Sequence, residues 1–247
     1  MAEIEYAIPG NPTHAEAEYI LANHKIGLAV GLAVSGRLVT PEMIVAMGTQ
    51  SYPVHLSTGY IMIKGLPVEE ARCVAVDEAI KVGAKYLWFV DDDTIPPSHA
   101  ARALIYQLEN NPDAMVCGGL YVTKEDIPQP VVFQGIGLGS YWHWKKGDVF
   151  ECTGMGAGCM MIRTEVFKTL EKPYFKFIRD IPSDINHGSS CISEDIYFCE
   201  MVRKEGYKVL AHGGVLCRHF DVNTGRVFGF PDDCYPMRPR EAESSVK

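Results

Sequence analysis

The sequence predicts an α/β protein whose mostly parallel central sheet is layered between helices. Two observations carry that prediction. Between residues 69 and 117, helix-like and strand-like segments alternate, separated by short breaks at Gly83 and at Asn111-Pro112-Asp113. Within that stretch, Tyr86-Leu87-Trp88-Phe89-Val90 is continuously apolar and then stops at three aspartates, as a strand covered on both faces does. The composition agrees. The chain has 247 residues, 47% of them apolar and 22% charged, which suffices for a sizeable core and excludes a disordered tail, a collagen-like fibre and a coiled coil.

In chain order, residues 1–24 read as an extension: a Pro-Gly-Asn-Pro turn cluster at 9–12, then a short Ala/Glu-rich helical stretch. Ile26 to Val34 is a buried strand. Pro41 opens a helix over Glu42–Met47, because proline is tolerated in a first helical turn. A second strand follows around 54–63. Glu69–Val82 is helical, with Cys73, Val76 and Ile80 on its inward face. Ser98 caps the next helix, whose apolar face is Ala101, Leu104, Ile105 and Leu108, and Ala114–Cys117 is again a strand. Residues 118–147 mix prolines, glycines and aromatics. Val149–Cys152 and Cys159–Ile162 read as strands around a glycine-rich turn. Ser193 then caps a helix running to Gly206, with strands near 207–211 and 215–218 and a polar tail from Arg238. With no repeat and no linker composition, the expected organisation is one domain over 25–230, flanked by the extension and a tail over 231–247.

Several function classes are disfavoured at once. Acidic residues outnumber basic ones 31 to 23, a formal charge of −8, so nothing attracts nucleic acid or an anionic membrane in general. The longest apolar run, Ile26–Val34, is far short of the roughly 20 residues a membrane span needs. The acidic start carries no signal-peptide pattern. Eight cysteines, none in a C-x-x-C pair, read as buried free thiols of a reducing, cytoplasmic setting.

The chemistry concentrates in a few places. Asp91-Asp92-Asp93 sits at the carboxyl end of a buried strand, where open parallel sheets bind ligands. Such an oxygen cluster suits magnesium or manganese bridging to a substrate phosphate; alternatively it is a solvated turn whose acids favour the next helix. Asp195, in Ser193-Glu194-Asp195, lies on the face of Phe198 and Cys199 and so points inward; the other reading is a helix start that Ser193 caps and whose dipole both acids favour. His219 follows the apolar run Val215–Cys217, either as a structural residue or as a partner of the aspartates. In Tyr141-Trp142-His143-Trp144, Trp142 offers a flat face to an acceptor sugar or packs in a hairpin. Gly154-Met155-Gly156-Ala157-Gly158 lacks the G-x-G-x-x-G spacing and leads into a strand, against dinucleotide binding.

Taken in order, these residues resemble glycosyltransferases of the GT-A fold, especially the soluble inverting enzymes that use nucleotide-diphosphate sugars. The resemblance runs from Lys25 to Val222 and rests on the exit of the first strand, Ala71-Arg72, Phe89–Asp93, Gly154–Arg163, Ser193-Glu194-Asp195 and His219. It implies a GT-A three-layer α/β/α sandwich with a mostly parallel sheet. It further implies that Asp91 lies near the ribose or metal, that Asp93 and His219 hold Mn2+ or Mg2+ on the donor diphosphate, and that Asp195 is general base toward an acceptor hydroxyl. Ala33, Ser35, Arg72 and Asp92 would join Asp91 around the nucleotide, while Gly156, Gly158 and Glu194 would lie with Trp142 on the acceptor and sugar side. A UDP-sugar is the donor guessed, from how common it is in the family. Without a Q-x-x-R-W motif or membrane helices, single addition is expected rather than polymerisation. Two other classes stay open: a sugar-1-phosphate nucleotidyltransferase, poorly matched by the two glycines and one arginine of Gly31–Arg37, and a non-catalytic carbohydrate-binding module holding calcium. The acceptor and the oligomeric state are left open.

Overall fold

The computed structural model describes residues 3–7, 26–34, 39–135, 137–180 and 190–230, and among them eight strands form a central sheet. Its middle is built from the segments with the longest apolar runs. β1 (Glu3–Ala7), β2 (Leu28–Val34), β3 (Thr58–Lys64) and β4 (Tyr86–Val90) form one half. β5 (Thr94–Ile95) leaves the sheet directly after the aspartates, and β6 (Ala114–Leu120) returns to it. β7 (Val132–Phe133) pairs outside the sheet with β9 (Gly154–Met155). β8 (Val149–Glu151) and β10 (Cys159–Arg163) flank β9 in sequence and belong to the main sheet. β11 (Ile178–Asp180) pairs with β12 (Ser190–Ile192). β13 (Lys208–Leu216) completes the main sheet, and β14 (Arg218–Phe220) and β15 (Val227–Phe228) form a small sheet with β5.

The strand order is β1-β3-β2-β4-β10-β6-β13-β8. β2, β3, β4, β6 and β13 run one way; β1, β10 and β8 run the other. This is the mostly parallel sheet expected. Its centre is β4, fully buried along its length. Alternate residues of β4 serve two separate cores, as the two-residue period of a strand demands. Leu87 and Phe89 face the helices α2 (Val68–Lys81) and α4 (Glu194–Lys204). Tyr86, Trp88 and Val90 face α1 (Pro41–Gly48) and α3 (Ala100–Asn110). Helices on both faces make three layers. No helix among the described residues is long and apolar enough to cross a membrane.

Several details depart from expectation. Residues 3–7, placed in an extension, pair antiparallel with β3 as the sheet's edge strand. In α2 the inward face is Ala71, Arg72, Ala75, Val76 and Ala79, while Ile80 is 45% exposed and Cys73 half-buried. The buried positions 71, 72, 75, 76 and 79 form one stripe at three- and four-residue spacing, and Ile80 lies at its solvent margin. α3 begins after His99 rather than at a Ser98 cap, with no side-chain capping bond. Its apolar face is as expected: Ala101, Leu104, Ile105 and Leu108 are all buried. α1 does carry a cap, Thr40 Oγ1 accepting from the Met43 amide at 3.2 Å. The strands expected near 207–211 and 215–218 are one strand, β13, followed by β14.

Leu104 is fully buried among the side chains that α3 and β4 share. Leu104→Ala should therefore cost about 2–5 kcal/mol in urea unfolding; a loss under about 1 kcal/mol would mean that α3 does not seal this face.

Candidate functional site

The site begins where β4 ends. The Asp91 amide donates to the Gly158 carbonyl (3.1 Å) and the Thr94 amide donates back to the Asp91 carbonyl (3.0 Å), so the three aspartates occupy a tight turn. β5 follows at once and pairs with β14, setting Thr94 opposite His219, and the Phe220 amide donates to the Asp93 carbonyl (2.8 Å). Backbone pairing thus carries His219 to the aspartates.

Asp93 and His219 face each other, with His219 Nε2 3.4 Å from Asp93 Oδ1. His219 Nδ1 lies 2.7 Å from the Val122 carbonyl. A carbonyl only accepts, so Nδ1 is the donor there, which leaves Nε2 turned toward Asp93. A ring nitrogen and a carboxylate oxygen face to face require a proton or a cation between them. An imidazole oriented by a backbone carbonyl is also the usual support of a metal-ligating histidine. These residues fit a divalent ion that completes its shell with water and phosphate oxygens. No three potential protein ligands cluster among the described residues, so the protein would supply only part of that shell.

The other Asp93 oxygen is taken: Lys124 Nζ donates to Oδ2. Burial alone would raise the Asp93 carboxyl, but the hydrogen bonds and charges of His219 and Lys124 hold it down at about 2. Asp93 is therefore ionised across the physiological range.

The second carboxylate group is organised by Arg72, whose guanidinium comes from the inward face of α2. It donates to both Asp91 oxygens (2.9 and 3.1 Å), to Glu194 Oε1 (3.3 Å) and, weakly, to the Ala157 carbonyl (3.5 Å), and it lies 5.2 Å from the centre of the Phe89 ring. Burial opposes its charge, and Asp91 and Glu194 more than restore it. Glu194, 5% exposed at the start of α4, is pushed up to about 7, first by burial and then by the charge of Asp195; the nearby Arg72 opposes but does not win. One cation among three carboxylates cannot neutralise them all, and the most buried keeps its proton most readily.

Asp195 points inward as the spacing predicted. The Ala157 amide donates to its Oδ2 (3.3 Å), and the Ile196 amide (2.8 Å) and the Ser193 hydroxyl donate to its Oδ1. Ser193 therefore spends its hydroxyl on Asp195 and not on capping α4. Asp195 lines a cavity of about 260 Å³ together with Val131, Phe133, Gly154, Ile196 and Arg203. A second cavity, about 190 Å³, opens at the strand ends and is lined by Ala33, Leu66, Ala71 and Asp91 to Asp93. Arg72 and Ala157 connect the two, since each contacts a carboxylate from both groups or the chain between them.

Of the residues singled out in the sequence, Ala33, Asp91, Asp92 and Asp93 line the strand-end cavity, Asp195 lines the other, and Arg72 and Glu194 stand between. Gly156 and Gly158 pack beneath Tyr121: a Cβ on Gly156 would come within 1.9 Å of the Tyr121 hydroxyl, and one on Gly158 within 2.6 Å of Thr94 Oγ1. Trp142 lines neither cavity and donates its Nε1 hydrogen to Gln129 (3.2 Å). Ser35 lies outside the described residues. Two residues were missed. Tyr121 is buried with its hydroxyl accepting from the Gly158 amide (3.2 Å), and Lys124 is on Asp93. Both follow the carboxyl end of the parallel strand β6, the position that makes Asp91–Asp93 suspect.

No family model matches the chain, and no curated protein matches it in sequence. Solved structures do. The A197 protein from STIV superposes with a TM-score of 0.57 at 16% identity, over 87% of this chain and 100% of that one. GalNAc-T7 with UDP, GalNAc and Mn2+ superposes with a TM-score of 0.52 at 12% identity, over 80% of this chain and 44% of that one. This chain thus spans under half of the GalNAc-T7 chain. The fold is GT-A, as the motif order implied.

Two outcomes follow from this geometry. Arg72→Met leaves Asp91 and Glu194 without their cation and should cost about 3–5 kcal/mol in denaturant unfolding; a neutral substitution would refute Arg72 as the keystone. Glu194→Gln copies the protonated carboxyl, whose stabilising contribution is present below the ordinary value near 4.5 and lost as pH rises through about 7. The variant should therefore gain more in melting temperature over wild type at pH 8 than at pH 5, and an equal difference at both would contradict a raised Glu194.

Proposed function

We propose that the protein is a metal-dependent glycosyltransferase that moves a sugar from a nucleotide diphosphate to an acceptor hydroxyl, with inversion at the anomeric carbon. The observation that carries this is the pairing of two carboxylate sites within a GT-A fold, one at the end of β4 beside a histidine and one at the start of α4 in its own cavity. The presence of UDP and Mn2+ with GalNAc-T7 supports a UDP-sugar donor and manganese.

The strand-end cavity would receive the nucleotide, with Ala33 and the neighbouring first-strand exit toward the base and Asp91 and Asp92 toward the ribose. Asp93 and His219 would hold Mn2+ or Mg2+, which when bound stabilises the negative charge that grows on the diphosphate as the sugar leaves. Asp195 takes the proton of the acceptor hydroxyl, whose own pKa is too high for it to attack unaided. Three hydrogen-bond donors fix the Asp195 carboxylate in place, so it need not reorient when the acceptor arrives. Glu194 and Arg72 hold Asp91 and Asp195 at their separation. Trp142 would be an outlying acceptor contact. The seven described cysteines are free thiols, which supports a cytoplasmic setting.

Asp93→Asn should abolish the Mn2+-dependent part of UDP binding in calorimetry, and unchanged Mn2+ dependence would remove Asp93 from the metal site. Asp195→Asn should keep UDP binding but lose at least about a hundredfold in UDP release from a UDP-sugar; undiminished release would remove Asp195 as base.

A further inference from the structure

After β6 the chain doubles back between Tyr121 and Val131. Val122 bridges to Pro130, the Val131 amide donates to the Tyr121 carbonyl (3.0 Å), and the Thr123 amide donates to the Gln129 carbonyl (2.8 Å). Its base is pinned to the site: Tyr121 accepts from Gly158, and the Val122 carbonyl orients His219. Its tip is exposed from Glu125 to Ile127. Lys124 lies between base and tip and reaches Asp93 with a flexible stem, the two side chains 24% and 27% exposed.

The carboxylate assigned to the divalent ion therefore already carries an ammonium. Asp93 has one negative charge, and an ion on it beside a fixed ammonium would meet like-charge repulsion across a few ångströms. An ammonium is a compact point charge on a four-carbon stem, able to exchange one anion for another without moving the backbone. A diphosphate brought to the same place offers such an anion. We propose that Lys124 is an internal cation that competes with the divalent ion for Asp93, and that the donor diphosphate relieves the competition by taking Lys124 as its own partner. Nucleotide diphosphate and metal then bind cooperatively, each strengthening the other by the same factor. The proposal rests on Asp93 as the metal-binding carboxylate and goes beyond it by assigning the residue that couples the two ligands.

The test is Mn2+ binding, read from the electron paramagnetic resonance signal of the free ion, without nucleotide and with UDP. Wild type is compared with Lys124→Met, Asp93→Asn and Arg226→Met. Arg226 sits on the neighbouring turn, paired with Asp126 at 3.5 Å, so its loss removes the same charge without vacating Asp93. Lys124→Met should bind Mn2+ alone roughly three- to fivefold more tightly than wild type, the worth of one partly exposed charge contact, and UDP should strengthen its Mn2+ binding less than it does for wild type. Arg226→Met should stay within about twofold of wild type. If Mn2+ binding depends on Asp93 but Lys124→Met is no tighter, the competition is refuted and the metal site stands. Equal tightening in Lys124→Met and Arg226→Met would also refute it, leaving only overall charge. If Asp93→Asn binds as wild type does, or no variant binds Mn2+, the metal assignment falls and the competition with it.

Discussion

Arg72 is a cation on the inward face of a helix, 2% exposed, at a position where the rest of that face is alanine and valine. Burying a guanidinium is costly unless its hydrogen bonds are met by charged partners. The fold meets them from two directions: β4 ends in Asp91 and α4 begins with Glu194. Because both partners must reach one planar group, the end of the central strand, the start of α4 and the glycine turn carrying Ala157 are fixed relative to one another. The alanines of α2 allow this, for a larger inward face would hold the helix too far from Asp91.

That constraint also places the other carboxylates. Asp195, next to Glu194, is set by the same helix start and tied to Ala157, whose carbonyl Arg72 also touches. Asp93, two residues past Asp91, is separated from Arg72 and served by different partners, His219 and Lys124. The outcome is two acidic sites with opposite electrostatics. At Asp93 the partners hold the carboxyl near 2. At Glu194 burial and crowding lift it to about 7. Charged partners keep one carboxyl ionised while burial and crowding let another close by hold its proton.

Much of this was legible in the sequence. The unbroken apolar run Tyr86–Val90 declared a strand buried on both faces, and the aspartates after it marked the strand end where a cavity opens. The spacing of Asp195 to Phe198 and Cys199 gave its inward direction. What stayed hidden depends on tertiary pairing. Glu3–Ala7 reads as part of an extension because two of its five residues are glutamates, yet an edge strand needs only one neighbour. Ile80 seemed an inward residue until Arg72 and the alanines claimed the face. The hydroxyl of Ser193 looked like a cap and serves Asp195. Lys124 sits in a polar stretch, Thr123 to Asp126, with nothing local to distinguish it from a solvated loop lysine; only the return of the chain along β6 brings it to Asp93.

The proposed role of Asp93 and His219 is to hold together the divalent ion that accompanies a nucleotide diphosphate. Its most direct test is anomalous scattering from crystals grown with UDP and Mn2+. One manganese peak is expected within about 2.5 Å of both an Asp93 oxygen and His219 Nε2, with the diphosphate on its far side. Bound UDP with the peak elsewhere, or with none at all, would contradict it.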